Sequence, residues 1–262
     1  MPTRDNSEHL AETALLDYGH ASLRKLICDR GWRSLPVGRR IGAVYSFVRD
    51  EIPFGYNISD RISASQVLAD GYGQCNTKTI LLMALLRGVG IPCRVHGATI
   101  HKRLQKGVVN GLWYRMAPKN IIHTWAEVLV DGRWVAMEGV ILDSRYLDGL
   151  RALVSQNHGA FLGYAVGTDD LASPPVDWQG DDTAIQMTGV NSDLGSYDDP
   201  DAFYAEHGAN LSGFKEWLYR HVVRQRMNGK VASIRGCPPT PSCVAHSAAA
   251  RGRSGPATGP GK

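Results

Sequence analysis

The chain has few cysteines, and they are scattered. Five occur in 262 residues: Cys28, Cys75, Cys93, Cys237 and Cys243. Their number is odd and no Cys-x-x-Cys pair exists, which argues against a disulfide framework and a structural zinc site. No apolar run approaches the roughly 20 residues that span a bilayer, so no membrane partner is expected. The first eight residues are polar, without the apolar core of a secretory leader, and a reducing cytoplasmic setting is the expectation. Excess charge is also missing. The net charge is +4, and Arg251, Arg253 and Lys262 sit in an acid-free tail. The body is near neutral, and no nucleic-acid partner follows. No internal repeat and no EF-hand loop is present. His96 and His101 lack a second ligand at metal spacing, so neither a metal nor a cofactor is expected. What remains is an ordinary globular composition, 43% hydrophobic and 21% charged, on a chain long enough for a sizeable core.

Apolar periodicity and turn chemistry divide that chain. Residues 8–28 read as an amphipathic helix, with Leu15, Leu16, Leu23, Leu26 and Ile27 at helical spacing. A second helix, 37–51, is punctuated by Pro36 and Pro53. A short helix over 63–69 leads into Gly71-Tyr72-Gly73-Gln74-Cys75, and a helical apolar run follows directly, ending near Gly88–Gly90. Residues 93–100 read as a strand. Residues 123–130 alternate like another. Asp131-Gly132 is the strongest two-residue hairpin signal, and 133–140 reads as the return strand. Residues 151–167 read as helical, 169–201 as an aspartate-rich loop with no Lys or Arg, and 211–227 as a last helix. The stretch from Gly236 onward is rich in Pro, Gly, Ser and Ala and reads as disordered.

Two features carry chemistry. The glycine turn puts Cys75 at a helix N-terminus, where the dipole favours a thiolate. With a two-residue turn, Val130 pairs with Arg133, so Trp125 falls opposite Glu138 and His123 opposite Val140. His123 and Glu138 are then diagonal neighbours on one face. A carboxylate that accepts one imidazole N–H fixes the tautomer and frees the other nitrogen for a thiol. Taken singly, Cys75 reads first as an inert small residue and His123 as a surface or satisfied histidine, and Glu138 also reads as an ordinary exposed strand residue.

These residues resemble the transglutaminase-like superfamily, a branch of the papain-like cysteine enzymes. Tyr72-Gly73-Gln74-Cys75 is similar to its nucleophile turn, and the passage from Ala84 through Gly90-Ile91-Pro92-Cys93-Arg94 to its helix-to-strand step. His123-Thr124-Trp125-Ala126-Glu127 is similar to its His-x-Trp-x-Glu strand. Asp131-Gly132-Arg133-Trp134 to Glu138 resembles the return strand with the third catalytic residue. Glu138 stands where the family usually has Asp; Asp143 is a fallback that the hairpin register disfavours. Asn76 stands where the animal enzymes have Trp.

The resemblance implies an α+β fold, a papain/transglutaminase-like core in which a central Cys-bearing helix packs on an antiparallel β-sheet, with extra helices at both ends. The expected organisation is a helical segment over 1–34, a catalytic core over 35–150, an extension over 151–235 and a tail over 236–262. It implies Cys75, His123 and Glu138 as catalytic residues of a cysteine hydrolase or acyltransferase working through a thioester on a peptide or small amide. Hydrolysis is the first expectation, transfer to an amine the second, and a non-catalytic binding module the third. Gln74 or Tyr72 either adds an oxyanion donor or only shapes the turn. Trp125 either shields His123 from water or simply packs. The basic segment 101–119 precedes the His123 strand. Its Lys102 and Arg103 either bind a substrate carboxylate or phosphate or belong to a solvated loop. The aspartate-rich stretch either folds over that segment or binds calcium.

Overall fold

The computed structural model describes residues 7–154, 159–211 and 213–236. Expectations for the tail beyond them, Cys237 and Cys243 included, lie outside the described residues. Helices α1 (Ala21–Arg30), α2 (Val37–Ser46), α3 (Ala64–Asp70) and α4 (Cys75–Gly88) precede strand β1 (Cys93–His101). A short helix α5 (Gly111–Met116) leads into β2 (Asn120–Val130) and β3 (Arg133–Ala136). Helix α6 (Ser144–Leu153), a small ribbon of β4 (Phe161–Gly163) and β5 (Val166–Thr168), and strand β6 (Val190–Tyr197) follow. Helices α7 (Pro200–His207), α8 (Gly213–Leu218) and α9 (Arg224–Ile234) complete the described chain.

The architecture is α+β. The main sheet runs β3-β2-β1-β6 with every neighbouring pair antiparallel. Helix α4 packs against β1 and β2, and every residue from Asn76 to Gly88 is buried. A helix apolar on most of its circumference has no solvent face to offer and becomes the centre of the molecule. Around it gather Leu16, Ile41, Val44, Val95, Ala126 and Val128, all fully buried. The hairpin turn behaves as its residues dictate: Asp131 and Gly132 have φ of 49° and 81°, the left-handed pair of a type I′ turn. Val130 pairs with Arg133. No helix among the described residues is long and apolar enough to cross a membrane.

Four stretches differ from the sequence reading. Residues 8–28 are not one helix. A 3-10 turn, Glu8–Leu10, is separated from α1 by an irregular stretch of bends and a turn. That chain bonds to distant partners: the Leu15 N–H and the Thr13 hydroxyl donate to Asp201, and Asp17 accepts from the Ser65 N–H and hydroxyl. Residues 151–167 are not a helix either, because α6 stops at Leu153 and the β4–β5 ribbon follows. Its turn places Tyr164 and Ala165, neither of them glycine, at φ of 51° and 60°. Their N–H groups bond to the carbonyls of Lys106 and Leu104. Within 169–201, the polar residues 190–197 form β6 on the open edge of β1, with two register shifts. The last helical stretch runs on to Ile234 through a π-turn, Tyr219–Val223. The helix over 37–51 does form, its last turn widened into a π-turn, Phe47–Glu51.

Lys78, one turn along α4 from Cys75, is fully buried. Its ammonium donates to the carbonyls of Arg49 and Ile141, each at 3.0 Å. Burial pulls its pKa down from 10.5 to about 7, against the opposing pull of Asp143. Between those two values the unfolded chain holds a proton that the folded protein has released, so stability rises with pH across that window. Below pH 7 the full burden applies, on the order of 5 kcal/mol. Lys78→Met is expected to stabilise the protein at pH 6 by about 2 kcal/mol, after roughly 1–3 kcal/mol is lost on the two carbonyls. It should also flatten the rise between pH 7 and 10. Urea midpoints at pH 6, 8 and 10 measure both effects.

Candidate active site

The turn before α4 is built from close approaches. Gly71 ends α3 at φ 71°, its N–H bonded to the Val67 carbonyl. A Cβ on Gly73 would sit 2.8 Å from Lys78 Cγ and 2.9 Å from Thr77 Oγ1, so only glycine lets the chain fold this tightly onto the helix. The Gln74 N–H donates to Thr77 Oγ1 at 3.0 Å, which closes the helix start. Cys75 is then the first helical residue and partly exposed. Asn76 fixes it to the sheet: its Nδ2 donates to the Ile122 carbonyl at 3.2 Å, and its Oδ1 accepts from the Thr124 hydroxyl at 3.0 Å. These partners flank His123 on both sides.

The return strand is shorter than the hairpin pattern implies. It ends at Ala136, whose N–H is taken by Asp182, and the Glu138 N–H bonds to the Thr183 carbonyl. Glu138 opens a 3-10 turn instead of extending the ladder to Val140, so it does not pair opposite Trp125. Its side chain still turns inward to His123. Nε2 of His123 lies 3.2 Å from Glu138 Oε1, and both side chains are fully buried. The carboxylate also accepts the N–H of Ile185 and that of Gln186, the latter at 2.9 Å. A carboxylate surrounded by N–H donors is an acceptor, so Nε2 carries the imidazole hydrogen and Nδ1 is bare. Nδ1 is buried with no hydrogen-bond partner among the described residues.

Burial pushes the Cys75 thiol well above its ordinary value, and the Asp60 carboxylate pushes further. The backbones of Asn76 and Thr124 pull the other way, which places the sulfur beside the residue that follows His123. The S–H points at Asn76 Oδ1, 3.6 Å away. Burial and the Asp60 carboxylate both favour the neutral thiol, against the pull of the helix N-terminus expected from the sequence.

The supporting residues divide. Trp125 is buried, stacked on His96 at 4.4 Å and tilted against His123 at 5.6 Å between ring centres. Gln74 lines the cleft, but its Oε1 accepts the Asn57 N–H and its Nε2 donates to Asp60. Tyr72 is not brought to the thiol; its hydroxyl accepts from Arg224 and it is absent from the cleft wall. Lys102 and Arg103 also lie off the wall. Lys102 donates to the carbonyls of Tyr114 and Ala117 at the end of α5, as a cation at a helix C-terminus does. The aspartates expected to fold over them pair elsewhere, Asp177 with Arg49, Asp181 with Arg133 and Asp193 with His96. Asp143 caps α6 and pairs with Arg235 at 2.6 Å, which occupies the fallback.

A cleft opens over Cys75. Tyr56, Trp113, Met116, Ile121, Tyr219 and Met227 give it an apolar wall, and Asp60, Gln74, Asn76, Gln186 and Asn210 are among its polar residues. Sequence reasoning missed Asp60, Gln186 and Asn210. Each is an isolated polar residue in a loop, and only its distant partners mark it.

The chain was compared with known proteins. No curated protein sequence matches it. Among solved structures it resembles a proposed cysteine protease from Cytophaga hutchinsonii, at 13% identity, over 79% of this chain and 50% of that one, with a TM-score of 0.44. It also resembles red sea bream transglutaminase, at 21% identity, over 47% of this chain and 24% of that one, with a TM-score of 0.26. The chain thus spans about half the length of the first and a quarter of the second. Residues 31–139, which contain Cys75, His123 and Glu138, match the family model described as Transglutaminase-like superfamily. The match covers 109 of the 262 residues, less than half of the chain, and is a likeness of that segment to the superfamily.

Proposed function

We propose that the protein cleaves an amide bond by acyl transfer through a thioester on Cys75. The observation that carries this reading is the buried His123–Glu138 pair, whose Nδ1 has no partner among the described residues and whose strand is tied through Asn76 to the start of the helix that puts the partly exposed Cys75 in the cleft wall. Nδ1 of His123 takes the thiol proton as sulfur bonds to the substrate carbonyl carbon and the carbonyl π pair moves to oxygen. The Cys75 N–H, one of the free donors of the first helical turn, faces the developing oxyanion. The imidazolium, paired with Glu138, returns its proton to the amide nitrogen as the C–N bond breaks. Water then adds to the thioester and gives its proton to Nδ1; as the C–S bond breaks that proton passes to the sulfur, the acid leaves and the neutral thiol is restored.

Because the resting thiol is neutral, alkylation of Cys75 by iodoacetamide is expected to climb with pH through the alkaline range, without the acid-side plateau of a standing ion pair. A rate that is flat from pH 5 to 8 contradicts the neutral-thiol resting state. The reading itself is tested by mass spectrometry of the protein mixed with a panel of amide and ester donors. An acyl adduct on the Cys75 peptide, released as free acid, supports hydrolysis. Release only onto an added amine supports transfer. No adduct from any donor leaves a binding module.

A further inference from the structure

The cleft wall has acceptors and no cations. Among the described residues no Lys or Arg lines it, and its two carboxylates are Asp60 and Glu216. Glu216 is already paired with Arg220 at 2.5 Å. Asp60 is not. Its Oδ1 accepts from Gln74 Nε2 at 2.5 Å and its Oδ2 from Asn210 Nδ2 at 2.8 Å. Both donors are neutral amides, so they orient the carboxylate and leave its charge uncompensated. A carboxylate has about four acceptor positions, and two are filled. The clamp is itself anchored, because Asn210 also brackets the Ile122 backbone through its N–H and carbonyl.

A second acceptor, on a residue that lines the same cleft, is without a partner among the described residues. Gln186 is 2% exposed. Its Nε2 donates to the Ala165 carbonyl, and its Oε1 is buried with no hydrogen-bond partner among the described residues. A buried acceptor left unmet costs roughly 1–3 kcal/mol, and a ligand N–H would remove that cost. The aromatic faces of Tyr56 and Tyr219 complete the surroundings, and aromatic faces attract cations.

We infer that Asp60 is a specificity-determining residue, selecting substrates that carry a protonated amine within reach of the Cys75 sulfur. A protonated amine offers several N–H donors and one positive charge to a wall of acceptors, while apolar portions of the substrate lie against Trp113, Met116 and Met227. An anionic substrate meets Asp60 with no cation to offset it. This rests on the thiol chemistry proposed above and names the substrate class for it.

The test needs no identified substrate. Cys75 is modified with three methanethiosulfonates: 2-aminoethyl (cationic), methyl (neutral) and 2-sulfonatoethyl (anionic). In each case the thiol sulfur forms a disulfide, methanesulfinate leaves, and the thiol proton passes to base. Rates are read by mass on the peptide bearing Cys75 and divided by those of N-acetylcysteine. The expected cation-to-anion ratio is about tenfold or more at low salt, falling toward one at 0.5 M NaCl. Asp60→Asn is expected to bring the ratio to about one, and Asp131→Asn, which removes the same charge from the hairpin turn outside the cleft wall, to leave it unchanged. A wild-type ratio near one overturns the inference, as does a preference that survives in Asp60→Asn. The salt series on the wild type decides the matter if Asp60→Asn fails to fold. Failure of even the neutral reagent to modify Cys75 sinks the thiol chemistry itself, and the inference with it.

Discussion

Cys75→Ala is expected to lower kcat/KM by about 10⁶-fold, the scale seen when the nucleophile of a coupled triad is removed. Nothing nearby substitutes for it. Of the other described cysteines, Cys28 is exposed on α1, and Cys93 is buried in β1 with its thiol raised to about 11 by that burial. The fold should be indifferent to the change, because among the described residues the only hydrogen bond of the Cys75 side chain to another side chain is the 3.6 Å contact with Asn76, too long to carry much energy. The measurement pairs turnover of a donor that acylates the wild type with a thermal midpoint. Activity above one per cent of wild type, in a variant with an unchanged midpoint, assigns the chemistry to another residue.

Glu138→Gln should be nearly as damaging, for a different reason. The amide is almost isosteric, so the cavity is kept. The N–H groups of Ile185 and Gln186 both require an acceptor and will claim the amide oxygen. The amide nitrogen then faces His123 Nε2, which must become an acceptor, and the ring hydrogen moves to Nδ1. A donor now points at the thiol, and the base is gone. A carboxylate-to-amide change of this kind costs about 10⁴-fold in kcat where it has been isolated. Comparison of kcat with KM separates the explanations: loss of orientation lowers kcat and leaves KM close to wild type. A drop of less than tenfold excludes the orienting role.

Local rules reached the centre of the site and stopped at its edge. The Cys75 helix and the Asp131-Gly132 hairpin were legible because each is announced by its own residues, a glycine turn before an apolar run and a left-handed dipeptide between alternating strands. The meeting of His123 with Glu138 was legible through the hairpin register, although the carboxylate arrives from a 3-10 turn. Strand β6 was not legible. An edge strand needs only one partner and can expose polar residues on both faces, so 190–197 lacks the alternation that marks a strand. Asp60 was hidden because its importance lies in what surrounds it, Gln74 from the nucleophile turn and Asn210 from the far end of the chain. Lys102 and Arg103 stayed open between two readings for the converse reason: a run of cations has no direction until the fold supplies one.

The two N–H groups that hold Glu138 come from residues 47 and 48 positions further along the chain. That separation makes the order of assembly matter. Helix α4 and the hairpin close short loops and can form early, but the carboxylate is clamped only when 182–186 docks behind it, a late and entropically slower closure. The chain can therefore be compact before Glu138 is clamped, so the orientation of His123 depends on a closure that neither the helix nor the hairpin supplies by itself.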